Sequence, residues 1–332
     1  MKIADAAAEF QRGYFSTHQR SSKTRKSYAV DLLQMEQHFG PKKSLESVSP
    51  TALEEWIMRM RDKQLKTTTI RRKVAVVRLF FNYWVRRGTL DASPFWKVRL
   101  DLKCERQLPR NLSPRDMKRL IEHVWAEARQ VIGPFVSNLS DVQFRQLRDL
   151  AVVEILFATG MRVSELVNLS LDDWQEDESC FVVTGKGSVQ RLAFLPDERS
   201  VHAVRLYISA RKHRPGDSAF LLVSASGRHF KTQGVARVLR RFARDATISH
   251  RVTPHMIRHT VATLLLRYGA DIRIVQEVLG HASISTTQRY VHVSKEHLRT
   301  ILKERHPSHH LSIDTRPYQG SFAFMESAGK RS

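Results

Sequence analysis

Tyr290 stands near the C-terminal end, behind a series of groups that together suit phosphodiester chemistry. Arg162 in TGMRVSEL comes first, then Lys186 in TGKGSVQR, His255 and Arg258 in TPHMIRHT, and His281 in LGHASISTTQRY. A guanidinium can give two parallel hydrogen bonds to phosphate oxygens, which an ammonium cannot. A phenol is a poor nucleophile at neutral pH, with a free pKa of ~10, and needs a cationic pocket. The lysine and the histidines add groups that move protons. Such a set can hold a phosphodiester, attack it with a phenolate and protonate the leaving oxygen. The set implies no cofactor and no metal.

Each motif has a plainer reading beside this one. Glu165 lies three residues after Arg162, so the two share a helix face and form either a surface ion pair or a braced phosphate-binding arginine. Lys186 lies between two glycines, as a solvated turn lysine would, or as a mobile tip reaching a DNA groove. The string GKGS is not a P-loop, because Cys180 stands where that motif needs a glycine. His255 and His259 have the spacing of zinc ligands, but Met256 replaces the glutamate of HExxH. A phosphate site at a helix N-terminus suits TPHMIRHT better, with His259 left as a possible core residue.

The elements that must carry these groups are mostly helical. Tyr28, Leu32, Met35 and Phe39 form one helical stripe. Ser49-Pro50, Ser113-Pro114 and Thr253-Pro254 each read as an N-cap followed by a first helical proline. A helix over TTTIRRKVAVVRLFFNYWVRRG should stop near Gly88, with Phe80, Phe81, Tyr83 and Trp84 packed inside. Ten Lys or Arg residues between Arg59 and Arg87 favour phosphate contact. From Ser93 to Asp116 the prolines and the lack of period predict an extended linker. GPFVSNLSDVQF reads as a loop before the buried helix RDLAVVEILFATG. Residues 180–195 form a β-hairpin around Lys186, and AFLLVSASGRHF a further short strand pair. Ser283 or Ser285 caps a short helix toward Tyr290. Beyond it, Leu298, Ile301 and Leu302 stripe a helix that needs a partner surface, either its own domain or a neighbouring protomer. The stretch from His306 reads as an arm outside the core.

The chain has 332 residues, 42% of them hydrophobic, which is enough for a packed core. Its formal charge of +22 favours a polyanionic partner, usually nucleic acid. Two distant cysteines fit a reducing compartment better than a disulfide framework. The N-terminus carries Asp5 and Glu9 where a signal peptide would be apolar, and no stretch has membrane-spanning length. The expected location is the bacterial cytoplasm, on DNA.

The order and spacing from Arg162 to Tyr290 resemble the catalytic core of tyrosine recombinases, the phage-integrase and Xer family. KTRKSYAVDLLQMEQHF is similar to that family's core-binding domain, QLPRNLSPRDMKRLIE to its linker and first catalytic helix, and VHVSKEHLRTILKERHP to its Xer branch. The segment from Val131 to Phe144 and the chain after His306 are longer than in compact Xer proteins. The resemblance implies a mainly α fold with a small antiparallel sheet, in two domains that clamp DNA. Its boundaries would be a helical core-binding domain at 1–97, a linker at 98–112, a catalytic domain at 113–305 and a tail at 306–332. It makes Tyr290 the nucleophile, Arg162 and Arg258 the paired arginines, Lys186 the hairpin lysine, His255 and His281 the two histidines, and Glu165 the supporting acid. It further implies a homotetramer on double-stranded DNA sites, with accessory DNA-bending or directionality proteins as possible partners. A type IB topoisomerase and a non-catalytic DNA-binding regulator are the competing readings.

Overall fold

The computed structural model describes residues 1–98, 101–102, 111–131, 139–185, 189–280 and 295–313. The chain divides into two compact units, Met1–Gln107 and Leu108–Ser332.

The first unit is helical. It runs α1 (Ile3–Thr17), α2 (Ser22–Phe39), α3 (Pro50–Asp62) and α4 (Thr67–Arg86). Ser49 caps α3 by accepting from the amide of Ala52, as the Ser-Pro pair predicts. Leu32 and Met35 of the expected stripe are buried, with Tyr28 and Phe39 packed against the same core. Phe80, Phe81 and Trp84 are core residues too, and Phe10 meets Phe80 edge-on at 5.5 Å. Two features depart from expectation. Pro94–Lys97 form a 3-10 turn that places Phe95 and Val98 in this core, where an extended linker was expected. Burying Phe95 outweighs the chain-breaking signal of the prolines. Among the ten basic residues, Lys73 is buried and donates to Asp31 at 2.9 Å, and Arg72 pairs with the same carboxylate. These two serve the fold before any phosphate, because a buried carboxylate needs compensating cations.

The second unit is built around α6 (Asp141–Thr159), which is buried nearly all round. Its other elements are α5 (Pro114–Arg129), α7 (Val163–Asn168), α8 (Glu198–Lys212), α9 (Thr232–Asp245), α10 (Pro254–Arg267), α11 (Ile272–Leu279), α12 (Lys295–Arg305) and α13 (Pro307–His310). Strands β1 (Trp174–Gln175), β2 (Cys180–Thr184) and β3 (Gln190–Phe194) pair antiparallel in that order. In the expected hairpin Phe181 faces Ala193 and Thr184 faces Gln190. Helix α6 starts earlier than expected, because Ser140 and Gln143 form a reciprocal capping box. AFLLVSASGRHF forms an isolated bridge, Val223 to His229, not a strand pair. There the amide of Phe230 donates to the carbonyl of Leu222 at 2.9 Å, and His229 stacks on Phe220 and bonds to the carbonyl of Val167 at 2.7 Å.

At the C-terminal end, Leu302 is 2% exposed and joins Leu298 in this unit's own core, so in the single chain α12 packs in cis. Burial against the unit's own apolar surface satisfies the stripe that seemed to need a partner. His306, Pro307 and Leu311 are also buried, so the start of the supposed arm is a core element. Its remainder, from residue 314, lies outside the described residues.

Candidate active site

Two left-handed glycine turns frame the candidate site. Gly160 ends α6 at φ +58° and Gly280 ends α11 at φ +66°. A Cβ on Gly160 would lie 2.6 Å from Cδ2 of Leu279, so the turn needs glycine for space as well as for its backbone angle. The chain leaving Gly160 reaches Arg162, which is the N-cap of α7.

Arg258 holds the two turns together. Thr253 caps α10 by accepting from the amide of Met256, with Pro254 in its first turn. One turn further on, Arg258 is only 8% exposed. Its Nη1 donates to the carbonyl of Gly160 at 2.9 Å and its Nη2 to that of Leu279 at 2.8 Å. These are helix-end carbonyls that lack partners within their own helices. Burial, and then the positive charge of Arg162, pull this guanidinium down to about 10. It still carries its proton at neutral pH.

Arg162 and Glu165 form the expected pair. Nη1 of Arg162 donates to Oε1 of Glu165 at 2.6 Å, and Nη2 donates to the carbonyl of Gly280 at 3.1 Å. The backbone amide of Arg162 donates to Oε2 of Glu165 at 2.9 Å. Glu165 is buried and not the surface partner of the plainer reading. Burial pushes its carboxyl up, but hydrogen bonds from Arg191 and Arg162 outweigh this and hold it below the usual range.

Sequence reasoning missed Arg191. It stands on β3 and donates to Oε2 of Glu165 at 2.8 Å. The available signal was an arginine in a half-buried strand, a charge that must find a partner. Arg162, Arg191 and Arg258 therefore gather around the carboxylate of Glu165, and the described residues of this corner carry surplus positive charge. Such a corner can receive an anion and stabilise charge developing on it.

His255 lies in the first turn of α10, three residues before Arg258, and is exposed. The structure therefore brings Arg162, Glu165 and Arg258 together and places His255 at the start of the same helix. Lys186, His281 and Tyr290 lie outside the described residues. For Lys186, the amide of Gly185 donates to the carbonyl of Val189 at 2.8 Å, closing the hairpin on either side. No described helix is long and apolar enough to cross a membrane.

Residues 129–297 match the phage integrase family, and residues 7–88 match the phage integrase N-terminal SAM-like domain. The chain is 32% identical over 308 residues to tyrosine recombinase XerC of Chlorobaculum tepidum, covering 88% of this chain and 91% of that protein. With XerC of Corynebacterium glutamicum the identity is 33% over 290 residues, covering 87% of each. The fold is similar to that of the Tn1549 transposon integrase in complex with circular intermediate DNA. There the TM-score is 0.65 at 20% identity, covering 90% of this chain and 98% of the other. It is also similar to the XerH site-specific recombinase bound to palindromic difH substrate, with a TM-score of 0.65 at 19% identity, covering 97% and 85%. With both segments matched in order and about nine-tenths of the XerC length shared at this identity, the chain belongs to the phage integrase family of tyrosine recombinases.

Proposed function

We propose that this chain is a site-specific DNA recombinase that cleaves and rejoins duplex DNA through a 3′-phosphotyrosyl intermediate and a Holliday junction. The observation that carries the reading is the arginine corner, in which buried Arg258 and half-buried Arg162 are held by helix-end carbonyls and Glu165. Arg162 and Arg258 hold the non-bridging oxygens of the scissile phosphate. The phenolic oxygen of Tyr290 attacks phosphorus, and its proton passes to His255. The bond to the 5′-oxygen breaks, and that oxygen takes a proton from Lys186. His281 hydrogen-bonds the phosphate. The phosphotyrosyl bond conserves the energy of the broken phosphodiester, so rejoining draws on no external energy source.

The partner on this reading is double-stranded DNA carrying specific sites, gripped by the helical N-terminal domain and the catalytic domain. Four copies act on two sites, with accessory DNA-bending or directionality proteins as further partners. The work is done on the nucleoid in a bacterial cytoplasm, a reading that the bacterial relatives support.

A nicked suicide substrate tests the proposal. The parent chain should become covalently trapped on it, while Tyr290→Phe should bind the same DNA and form no adduct. Holliday-junction formation from two intact sites then separates recombination from simple DNA relaxation. An adduct that persists in Tyr290→Phe would overturn the assignment.

A further inference from the structure

Arg191 has no role in the reaction just described, yet its contacts are specific. Its side chain is 12% exposed. Nη2 donates to Oε2 of Glu165 at 2.8 Å, and Nε donates to the carbonyl of Val278 at 3.3 Å. Oε1 of Glu165 receives Nη1 of Arg162 at 2.6 Å. The carboxylate therefore divides its oxygens between two guanidinium groups on different elements. Gly280 makes room for this: a Cβ there would lie 3.0 Å from Cδ, Nε and Cζ of Arg191.

The division constrains Arg162. A carboxylate alone with one arginine favours a bidentate pair, which would engage two parallel N–H groups of the fork. With Arg191 on Oε2, the Arg162 guanidinium meets Glu165 through Nη1, and its Nη2 turns to the carbonyl of Gly280 at 3.1 Å. Among the described residues no further side-chain partner takes the rest of its five N–H donors, which can therefore face an anion.

We propose that Arg191 is a positioning residue for DNA cleavage: by tying Oε2 of Glu165 to the end of α11, it fixes the pose in which Arg162 meets the scissile phosphate. The inference rests on the recombinase reading above. On this reading Arg191 acts through Glu165. A lysine in its place could neutralise Glu165 but could not also span to the Val278 carbonyl, because its donors converge on one nitrogen.

The experiment is single-turnover adduct formation on a nicked suicide substrate, with affinity for intact duplex measured alongside. Arg191→Gln should slow adduct formation by about a hundredfold, the scale expected of a slightly misplaced charge. Binding should stay near that of the parent, and Arg191→Lys should recover part of the loss. A substrate with a 5′-bridging phosphorothioate leaves without protonation, and it should not rescue Arg191→Gln, because the defect lies in phosphate binding. In a Glu165→Gln background, Arg191→Gln should cost severalfold less than it does alone, since the two residues act as one unit. Where Arg191→Gln fails to fold by circular dichroism, the same cycle run with Arg191→Lys carries the comparison. Parental cleavage in Arg191→Gln, rescue by the phosphorothioate, or losses that simply multiply with Glu165→Gln would each overturn the proposal. Failure of the parent chain itself to form an adduct would strike the recombinase reading, and this inference would fall with it.

Discussion

Nη1 of Arg258 donates to the carbonyl oxygen of Gly160 at 2.9 Å, so a buried cation fastens the turn from which Arg162 emerges. A lysine at position 258 cannot serve the carbonyls of Gly160 and Leu279 and an anion together. Arg258→Lys should therefore lower covalent adduct formation by about 10²–10³-fold, the scale of removing one donor to developing charge. Suicide-substrate kinetics would measure this, with duplex affinity as the control. Unchanged kinetics would mean that Arg258 only stabilises the fold.

Gly160→Ala attacks the same turn from its other side. The substitution places a Cβ 2.6 Å from Leu279 at a backbone angle of φ +58°. Overpacking and left-handed strain together should cost at least about 2 kcal/mol. Urea unfolding would show this as a lower midpoint with an unchanged slope. A neutral result would mean that α11 can shift away from α6 freely.

Lys186 can be tested through its chemistry. Lys186→Ala should cleave a 5′-bridging phosphorothioate substrate at close to the parental rate while failing on ordinary DNA, because the sulfur leaves without a proton. Equal loss on both substrates would make Lys186 a DNA-positioning residue instead. This substrate separates it from Arg191, for which no rescue is expected.

His306 should give the fold a pH response. It is fully buried, caps α13 by accepting from the amide of Ser308, and packs edge-on against Phe157 at 5.2 Å. Burial pushes its imidazole well below the ordinary histidine range, against the opposing pull of Asp197. Its folded pKa lies below its unfolded value of ~6.5, so the unfolded chain binds the extra proton as pH falls through that value. Its contribution to stability is complete above pH ~6.5 and is lost progressively below it, at up to about 1.4 kcal/mol per pH unit. His306→Asn should flatten the dependence of unfolding free energy on pH between about 6.5 and 4, whatever it does to stability at pH 8. Parallel curves for parent and variant would show that the imidazole does not titrate on unfolding.

Short-range signals carried most of what could be read from the residues alone. The Ser-Pro and Thr-Pro pairs before α3, α5 and α10 cap those helices as expected. The hairpin around Lys186 has the strands foreseen. What escaped was set by tertiary packing. Helix α8 is buried on several sides, from Val201 and His202 through Tyr207, so it shows no clear amphipathic stripe. Arg191 belongs to the arginine corner only because β3 lies beside α7 and α11, which no local pattern announces. The core role of His306 and the cis docking of Leu302 likewise depend on surfaces assembled from distant segments.

Asp31 changes how the salt response of this molecule should be anticipated. Each phosphate neutralised by a protein steepens the fall of log K with log salt by about 0.9. Counting cations along α3 and α4 would enter Arg72 and Lys73 as free charges, yet both are paired with Asp31 inside the first unit. One carboxylate offsets one of the two charges, so a slope forecast from that count would overshoot by about 0.9. Asp31→Asn would release the half-exposed Arg72 to the pool that displaces counterions, so a steeper salt response would accompany a weaker fold.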